Sequence, residues 1–368
     1  MNTDIFNGFF NDKRVLVTGH TGFKGAWLSL WLKKLGAITT GYSLKPPSNP
    51  NFFDICALKD QMISVEGDVK DKKHLNYVFL EYQPQIVIHM AAQSLVKNSY
   101  RDPVNTYETN VMGTVNVLEE CRNCESVRAI LIITSDKCYK NSGYPETGFK
   151  ESDPMGGYDP YSSSKGCAEL VCEAYLKSYF NPDGYRDHNV ALASARAGNI
   201  LGGGDWAQDR LIPDCIRAFV EHKPVCIRYP EAIRPWQYML EPLFGYLKLA
   251  KSLFENGAAF SGGWNFGPEN ENLKPVKWII EKMVRLWNDN AGWQIDEASH
   301  SYESPCLKLD CKKAKSLLDW NPRMNLETAL ANTIGWYKAY YDNNDIIGES
   351  LQKIENYEKS LKKMDLVL

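Results

Sequence analysis

Short apolar runs alternate with amphipathic segments through the first half of the chain. The β-branched apolar runs predict strands at residues 14–18, 37–42, 63–66, 85–89, 129–134 and 190–195, with helical patterns between them. Buried strands that alternate with helices indicate a parallel sheet covered on both faces, because right-handed crossovers place the helices there. We therefore expect an α/β fold with a Rossmann-type doubly wound sheet over residues 1–196.

The alternation ends after residue 196, where three consecutive glycines at 202–204 precede a region with several aromatic residues and prolines. We expect a smaller C-terminal α/β domain built from residues 197–229 and 269–345, with the segment around 230–268 returning to the first domain. Residues 346–368 are predicted to be a charged tail. Ligands of open α/β sheets bind beyond the carboxyl ends of the strands, so the second domain is expected to enclose a cleft there.

The composition excludes several classes of partner. Lys and Arg total 42 against 45 Asp and Glu, so there is no excess positive field to hold nucleic acid or an acidic membrane surface. No apolar run reaches the roughly 18 residues that a membrane span needs. Ten cysteines in a chain whose first residues lack a secretory signal predict reduced thiols in the cytoplasm. Cys121 and Cys124 have metal-ligand spacing, but no second pair or nearby histidine accompanies them, so no metal site is expected.

A glycine-rich turn follows the first strand. Gly19, Gly22 and Gly25 form the pattern G-x-x-G-x-x-G between that strand and a helix. Glycines at these positions let the backbone turn tightly and approach a pyrophosphate at the helix N-terminus, which favours dinucleotide binding over a plain tight turn. Lys24 within the turn either adds positive charge near the phosphates or is an ordinary solvated residue of the first helical turn.

The residues expected to contact the adenine ribose do not distinguish NAD from NADP. An acidic residue about 20 positions beyond the glycines normally binds the adenine ribose, but the second strand ends in the uncharged residues 40–43 (TGYS). Ser43 and Lys45 offer contacts to a 2′-phosphate. These residues alone leave the cofactor preference open.

Two residues four apart open the helical segment 161–180. Tyr161 and Lys165 share one face of that helix. A nearby ammonium stabilises a tyrosinate, so Lys165 is expected to lower the pKa of Tyr161 and let it remove a hydroxyl proton while hydride leaves to a nicotinamide. The alternative is an ordinary tyrosine and lysine on a helix surface. The position of the pair, one loop after the fifth strand, favours the catalytic interpretation.

Three polar residues follow the fifth strand at the edge where the cleft is expected. Ser135, Asp136 and Lys137 bring together a hydroxyl, a carboxyl and an amine. Such a set is suited to orienting a substrate hydroxyl and exchanging protons with it. The competing interpretation is a capped turn with a solvated ion pair.

Several sequence strings resemble the extended short-chain dehydrogenase/reductases, a family of NAD-dependent epimerases and dehydratases. The strings TGHTGFKG (18–25), HMAAQ (89–93), TSDKCY (134–139) and YSSSK (161–165) have the order and spacing typical of that family. Longer strings at residues 156–171, 196–214, 234–243 and 264–268 resemble its members that dehydrate CDP-glucose at carbons 4 and 6. The resemblance covers residues 14–341.

The resemblance implies a nucleotide-sugar dehydratase whose NAD is reduced and reoxidised within one turnover, while CDP-glucose becomes a 4-keto-6-deoxy sugar. In such an enzyme Tyr161 removes the proton of the 4-hydroxyl, Lys165 tunes Tyr161 and holds the nicotinamide ribose, and Ser135 hydrogen-bonds the same hydroxyl. Asp136 stands where related enzymes have the acid for the departing 6-hydroxyl. Lys137 stands where dTDP-sugar enzymes have a glutamate base, and it acts either as a neutral base at carbon 5 or as a charged stabiliser of the enolate.

The resemblance also assigns binding residues. Those expected at the cofactor are Gly19, Gly22, Phe23, Lys24 and Gly25 along the pyrophosphate, Asp68 at the adenine, Ala91, Ala92 and Gln93 at its border, and Tyr161 and Lys165 at the nicotinamide end. Those expected at the sugar nucleotide are Ser135, Asn199, Arg210 and Arg234. Family members pair through the helices at 106–121 and 161–180, so a homodimer or higher homo-oligomer is expected.

Two other functions remain open from the sequence. One is a 4-epimerase, or a dehydratase acting on another nucleotide's sugar, because small changes around the ketone suit one pocket to either reaction. The other is a catalytically silent NAD-binding regulator, which needs the glycine turn but not the full polar set. Asp136 and Lys137 favour elimination over epimerisation.

Overall fold

A computed structural model of the chain describes residues 5–141, 143, 147–288, 291–298 and 306–365. The expected domain boundaries also take in residues 1–4, 142, 144–146, 289–290, 299–305 and 366–368, which lie outside the described residues. The strands, β1 to β13 in chain order, are Arg14–Thr18, Ile38–Ser43, Ile63–Glu66, Ile86–His89, Ala129–Ile133, Ala191–Ala197, Ile200–Leu201, Pro224–Ile227, Ile233–Pro235, Gln237–Tyr238, Gly262–Phe266, Leu273–Pro275 and Gly292–Ile295.

The helices, α1 to α14 in chain order, are Phe23–Lys34, Phe52–Ile55, Lys72–Tyr82, Val96–Arg101, Pro103–Tyr107, Gly113–Arg122, Pro160–Ser178, Tyr185–His188, Leu211–Val220, Leu240–Asn256, Val276–Trp287, Lys312–Leu318, Leu326–Tyr341 and Ile346–Asp365. A π turn, Glu108–Met112, joins α5 to α6. No helix in the described part of the chain is long and apolar enough to cross a membrane.

Seven strands form one parallel sheet in the order β11-β6-β5-β4-β1-β2-β3. Strand β1 pairs with β2 on one side, where Val15 is opposite Thr39, and with β4 on the other, where Val15 is opposite Ile86. The chain therefore changes its direction across the sheet between β1 and β4. This switch point leaves a crevice at the carboxyl ends of the strands, where ligands of such sheets bind. The doubly wound α/β fold expected from the sequence is confirmed.

Helices cover both faces of the sheet. Helices α1 and α10 pack on one face, where Trp27 and Trp31 belong to the larger apolar core. Helices α3, α6 and α7 cover the other face. Along β1, Val15 and Val17 point into the first core and Leu16 into the second. Burial on both faces explains why this strand is apolar at consecutive positions instead of alternating with polar residues.

The remaining strands form three two-stranded pairs in the region that follows β6. Strand β7 pairs with β10, β9 with β12, and β8 with β13, and helices α9, α11 and α13 pack with these pairs. Between them the chain returns to the main sheet: α10 packs on β5 and β6, and β11 adds a strand beside β6. This return falls within the segment around 230–268.

The C-terminal segment is a packed helix rather than a separate charged tail. Helix α14 lies against α1 and α13. Glu358 accepts hydrogen bonds from Trp31 Nε1 at 2.9 Å and from Lys34 Nζ at 2.7 Å. Ile354 and Leu361 are buried on the same helix. The segment is rich in charged residues, but its few apolar residues recur at helical spacing and form one apolar face. We refer to α10 and α14 together as the C-terminal layer.

Candidate active site

A cleft of about 750 Å³ opens at the switch point of the sheet. Its walls come from the turns after β1, β4 and β5 and from parts of residues 197–214 and 226–236. Every residue that the sequence indicated as catalytic, cofactor-binding or substrate-binding lines this cleft. The set comprises Gly19, Gly22, Phe23, Lys24, Gly25, Asp68, Ala91, Ala92, Gln93, Ser135, Asp136, Lys137, Tyr161, Lys165, Asn199, Arg210 and Arg234.

The glycine turn joins the carboxyl end of β1 to the start of α1. Gly19 has a φ of +74°, and a Cβ at this position would meet the backbone of Ala91 at 2.7 Å. A Cβ on Gly25 would collide with the carbonyl oxygen of Gly19. Gly22 is the N-cap of α1 and supplies no capping side chain, so the first turn of the helix keeps N–H groups for a ligand. This bare backbone fits the pyrophosphate of a dinucleotide.

Lys24 belongs to the interior of the cleft. Its pKa is lowered to about 8, chiefly by burial and also by the charges of Lys165 and Arg210, while Asp136 opposes that change. Lys24 is only partly exposed and lines the cleft, which favours a place near the bound ligand over an ordinary solvated position. It stands instead among the charged groups that line the cleft.

Ser135, Asp136 and Lys137 form a short turn after β5. We call residues 135–138, which also include Cys138, the polar turn. The Ser135 hydroxyl accepts a hydrogen bond from the Lys137 N–H at 3.2 Å and donates one to Asp136 Oδ1 at 3.0 Å. Asp136 Oδ2 is buried and has no hydrogen-bond partner in the described part of the chain. Burial raises the pKa of Asp136, although Lys137, Ser135 and Arg234 act to lower it. The carboxyl is therefore suited to hold a proton for a ligand.

Tyr161 and Lys165 lie on the first turns of α7. Asp159 caps this helix by accepting a hydrogen bond from the Ser162 N–H at 2.9 Å, which fixes where the helix begins. Lys165 Nζ donates to the carbonyl oxygen of Ile133 at 3.3 Å and so connects α7 to the end of β5. Both side chains are buried.

The electrostatics of this pair differ from the sequence-based expectation. Burial raises the pKa of Tyr161 to about 12, although the Ser135 hydroxyl and the charge of Arg210 act to lower it. Burial lowers the pKa of Lys165 to about 8, and Glu169 opposes that change. The expected fall in the pKa of Tyr161 is therefore not found, because desolvation of the phenol outweighs the neighbouring charges.

Asn199, Arg210 and Arg234 line the cleft from the second region. Arg210 Nη1 donates to Asp205 Oδ2 at 2.9 Å, and its Nη2 donates to Ser94 Oγ at 2.7 Å. Arg234 is almost fully buried, and its charge acts on the carboxyl of the polar turn. The two guanidinium groups thus provide cations on the part of the wall that the second region forms.

An acidic residue on β3, Glu66, lies beside the end of β2, and its spacing from the glycine turn did not indicate it. Thr21 Oγ1 donates to the Leu44 carbonyl oxygen at 2.8 Å and lies 2.9 Å from Ser43 Oγ. The hydrogen of the Ser43 hydroxyl is therefore directed at Thr21. Lys45 is exposed, and its Nζ lies 3.8 Å from Oε1 of Glu66 at the end of β3. The adjacent strand thus places a carboxylate beside Lys45, although Glu66 itself does not line the cleft.

A buried asparagine joins the cofactor side of the cleft to α7. Asn110 lies in the π turn, where its Oδ1 accepts from the Gln93 N–H at 2.8 Å. Its Nδ2 donates to the Gln93 carbonyl oxygen at 3.0 Å and to Ser164 Oγ at 2.9 Å. Nothing in the sequence indicates this role, because a π turn reads as part of a continuous helix.

Sequence reasoning also missed Glu169, which accepts hydrogen bonds from Thr134, Ser194 and Arg196. Position 169 follows Lys165 by four residues, so the same helical spacing that links Tyr161 to Lys165 could have indicated it.

All ten cysteines are free thiols, and Cys121 and Cys124 are buried. Within the described residues, no group of three or more His, Cys, Asp or Glu side chains is placed to hold a metal ion.

Comparison with known proteins supports the geometry. The family model described as GDP-mannose 4,6 dehydratase matches residues 16–183. The chain is 52% identical to the CDP-glucose 4,6-dehydratase of Salmonella typhimurium, over 96% of this chain and 98% of that protein. It is 25% identical to the dTDP-glucose 4,6-dehydratase of Haemophilus influenzae, over 88% of this chain and 97% of that protein.

Solved structures share the fold at low sequence identity. A UDP-glucose 4-epimerase from Thermotoga maritima matches with a TM-score of 0.75 and 19% identity, over 89% of this chain and 99% of that one. A dTDP-glucose 4,6-dehydratase from Bacillus anthracis matches with a TM-score of 0.72 and 21% identity, over 91% of this chain and 99% of that one.

The parallel sheet, the glycine turn and the tyrosine–lysine pair on α7 define an extended short-chain dehydrogenase/reductase. Within that class the chain belongs to the nucleotide-sugar 4,6-dehydratase family, because it is 52% identical over nearly its whole length to a member of it.

Proposed function

We propose that the protein is an NAD-dependent CDP-glucose 4,6-dehydratase, which removes water from CDP-glucose to give CDP-4-keto-6-deoxyglucose. One observation carries the proposal: the polar turn and the Tyr161–Lys165 pair, which are separate in the sequence, line one cleft together with the glycine turn. The nearly full-length likeness to the Salmonella CDP-glucose 4,6-dehydratase supports the choice of substrate.

NAD fits the cofactor side of the cleft. Gly19, Gly22 and Gly25 provide the bare backbone for its pyrophosphate, while Asp68 and Gln93 line the same side. Bound there, NAD would supply a hydride acceptor for carbon 4 of the sugar and a hydride donor for carbon 6, so that the sugar would lose water without net oxidation. The carboxylate of Glu66 beside Lys45 supports NAD over NADP, because a 2′-phosphate needs an uncompensated cation.

Tyr161 is proposed to accept the proton of the 4-hydroxyl, with Ser135 hydrogen-bonded to the same hydroxyl. A tyrosine accepts a proton only as tyrosinate, so its pKa of about 12 must fall when the cleft is loaded. Arg210 and Ser135 already act in that direction. Lys165, four residues along the same helix, supplies a second cation and is proposed to hold the nicotinamide ribose.

Asp136 and Lys137 are proposed to carry out the elimination. Loss of water requires that the carbon-5 proton be removed and that the departing 6-hydroxyl be protonated. The raised pKa of Asp136 is suited to the second task. Lys137 is its neighbour on the polar turn. It either takes the carbon-5 proton as a neutral amine or stabilises the enolate as a cation.

Arg210 and Arg234 are proposed to bind the phosphates of the sugar nucleotide, with Asn199 beside them. A guanidinium suits this task because its planar fork makes two-point contacts with phosphate. Binding there would exchange the contacts of Arg210 with Asp205 and Ser94 for contacts with the substrate.

The decisive experiment incubates the protein with NAD and, separately, with the CDP, dTDP, UDP and GDP derivatives of glucose. The 4-keto product is measured by its absorbance in alkali. We expect the highest kcat/KM with CDP-glucose. Preference for another nucleotide would change the substrate, and inversion at carbon 4 without loss of water would indicate an epimerase. NAD binding without turnover of any of these sugars would indicate a silent regulator.

A homodimer is also proposed, formed by the helices around α5, α6 and α7. Apolar side chains on α5, the π turn and α7 are exposed: Val104 by 65%, Met112 by 51% and Leu170 by 54%. Sedimentation should show a dimer that Leu170→Glu dissociates, whereas an unchanged dimer would place the interface elsewhere. The ten free thiols support a reducing compartment such as the cytoplasm.

A further inference from the structure

A buried ion pair lies beneath the polar turn, outside the residues that line the cleft. Glu169 on α7 and Arg196 on β6 are each 4% exposed, and Arg196 Nη2 lies 2.8 Å from Glu169 Oε2. Desolvation makes a buried ion pair a weak source of stability. Its role is therefore better sought in the groups that it holds in place.

The ion pair holds the polar turn at both ends. Before the turn, Thr134 Oγ1 donates a short hydrogen bond to Glu169 Oε1. After it, the Tyr139 hydroxyl accepts from Arg196 Nη1 at 2.6 Å and donates to Asn265 Oδ1 at 2.7 Å. The guanidinium also lies over the Tyr139 ring, 5.0 Å from its centroid. The residues at the two ends of the turn are thus connected through a single pair of charges.

Glu169 also acts on Lys165, which stands one helical turn before it. Burial lowers the pKa of Lys165 to about 8, and Glu169 is the largest influence in the opposite direction. The other titratable groups that act on Lys165 or are acted on by it lie on the glycine turn, at the end of β4, on the polar turn and on α7: Lys24, His89, Cys138 and Cys172.

We propose that Glu169 is a positioning residue of the candidate active site: it holds the polar turn through Thr134 and Arg196 and supplies the negative charge beside Lys165. This inference deepens the proposed function and rests on it for its kinetic test.

The first test is amide hydrogen exchange on the cofactor-free protein. In the polar turn, the Lys137 N–H bonds to Ser135 Oγ and the Cys138 N–H to the Ser135 carbonyl oxygen. In Glu169→Gln we expect these amides to exchange at least about tenfold faster, with a β1 peptide as internal reference. Thr134→Val keeps the ion pair and the side-chain volume, so it tests one anchor even if Glu169→Gln folds poorly. Unchanged exchange in both variants would overturn the positioning role.

The second test is the pH dependence of kcat. Loss of the Glu169 charge lets the pKa of Lys165 fall further below its ordinary value. In Glu169→Gln the alkaline limb of the profile should therefore move to lower pH by at least about half a unit. Glu169→Asp keeps the charge but shortens the reach, so it should lower kcat without moving the limb. Thr134→Val should also leave the limb unmoved. If the alkaline limb of Glu169→Gln lies at the same pH as in the wild type, the electrostatic role of Glu169 is refuted.

A matched control is available on the same helix. Glu173 is exposed and pairs with Lys177, so Glu173→Gln should change neither exchange nor the pH profile. The two tests separate the inference from the proposed function. A wild-type protein that turns over none of the nucleotide-glucoses refutes the function, while exchange still decides whether Glu169 holds the turn. If the protein turns over CDP-glucose but Glu169→Gln changes neither amide exchange nor the pH profile, the proposed function stands and the inference is refuted.

Discussion

Two carboxylates buried in different regions have opposite surroundings. Glu169, below the cleft, is met by the guanidinium of Arg196 at 2.8 Å. Glu241, in the C-terminal layer, is met by neutral donors: the N–H groups of Arg323 and Met324 at 2.8 and 2.6 Å, and the Tyr357 hydroxyl at 2.7 Å. Burial raises the pKa of Glu241 to about 7, although these hydrogen bonds and the charge of Arg323 act to lower it. One region keeps a paired charge, and the other favours an uncharged carboxyl group.

The two carboxylates therefore have different roles: one acts on residues of the cleft, and the other stabilises the packing of two helices. A charge under the polar turn acts on Lys165, whereas an uncharged carboxyl in the C-terminal layer joins α10 to α14. Substitutions at the cleft should therefore change turnover and leave unfolding nearly unchanged. Substitutions in the C-terminal layer should do the reverse.

The strongest test of this separation is Tyr161→Phe. We expect kcat to fall at least about a hundredfold, the usual scale for loss of a positioned base, with NAD still bound and the melting temperature nearly unchanged. Steady-state kinetics, a fluorescence titration of the cofactor and thermal melts measure the three quantities. Near-normal turnover would remove Tyr161 from the mechanism.

The counterpart in the C-terminal layer is Glu241→Gln. The folded-state pKa of about 7 exceeds the ordinary value of 4.5, so the proton on Glu241 contributes stability that is lost as pH rises through about 7. This contribution amounts to at most about 3 kcal/mol. Wild-type melting temperature should therefore fall between about pH 5 and pH 8, and the variant should reduce that fall without changing kcat. An equal fall in both proteins would contradict the assignment.

Lys137→Met separates two steps within the cleft. The variant should still oxidise carbon 4 but lose water at least about tenfold more slowly, because removal of the carbon-5 proton or stabilisation of the enolate depends on Lys137. A single turnover should therefore accumulate reduced nicotinamide absorbance and incorporate little solvent deuterium at carbon 5. Dehydration at the wild-type rate would refute this role. Loss of the oxidation step would instead move Lys137 to that step.

The smallest effect is expected at the exposed end of β2. Wild type should use NAD better than NADP, and Glu66→Gln should raise the relative use of NADP only a few-fold, because exposed ion pairs are weak. Side-by-side kcat/KM values for the two cofactors measure this. Glu81→Gln, which removes an exposed carboxylate elsewhere on the surface, is the control. A wild-type preference for NADP would overturn the choice of cofactor.

Sequence patterns predicted what depends on local spacing. The glycine turn, the residues of the polar turn and the Tyr161–Lys165 pair are each set by a few neighbouring positions, and the structure brings them to one cleft. Glu66 and Asn110 could not be found in this way, because each acts on a residue far away in the chain. The pKa of Tyr161 depends on desolvation, which spacing does not report.

The C-terminal helix was missed for a different reason. Its charged residues dominate the composition of the segment, while the buried positions Ile354, Tyr357 and Leu361 form a narrow apolar face. Glu358, one of those charges, is itself buried against Trp31 and Lys34. A charged segment can therefore be part of the core when its few apolar residues share one side of a helix.

The π turn between α5 and α6 sets which side of α6 faces the sheet. A π turn contains one residue more than an α-helical turn of the same rise, so everything beyond Glu108–Met112 is rotated by about 100° relative to an uninterrupted helix. Deletion of one residue here would keep the amphipathic sequence of α6 but turn its apolar side away from the sheet. Asn110 would at the same time lose its alignment with Gln93. The segment thus tolerates substitution more readily than a change of length.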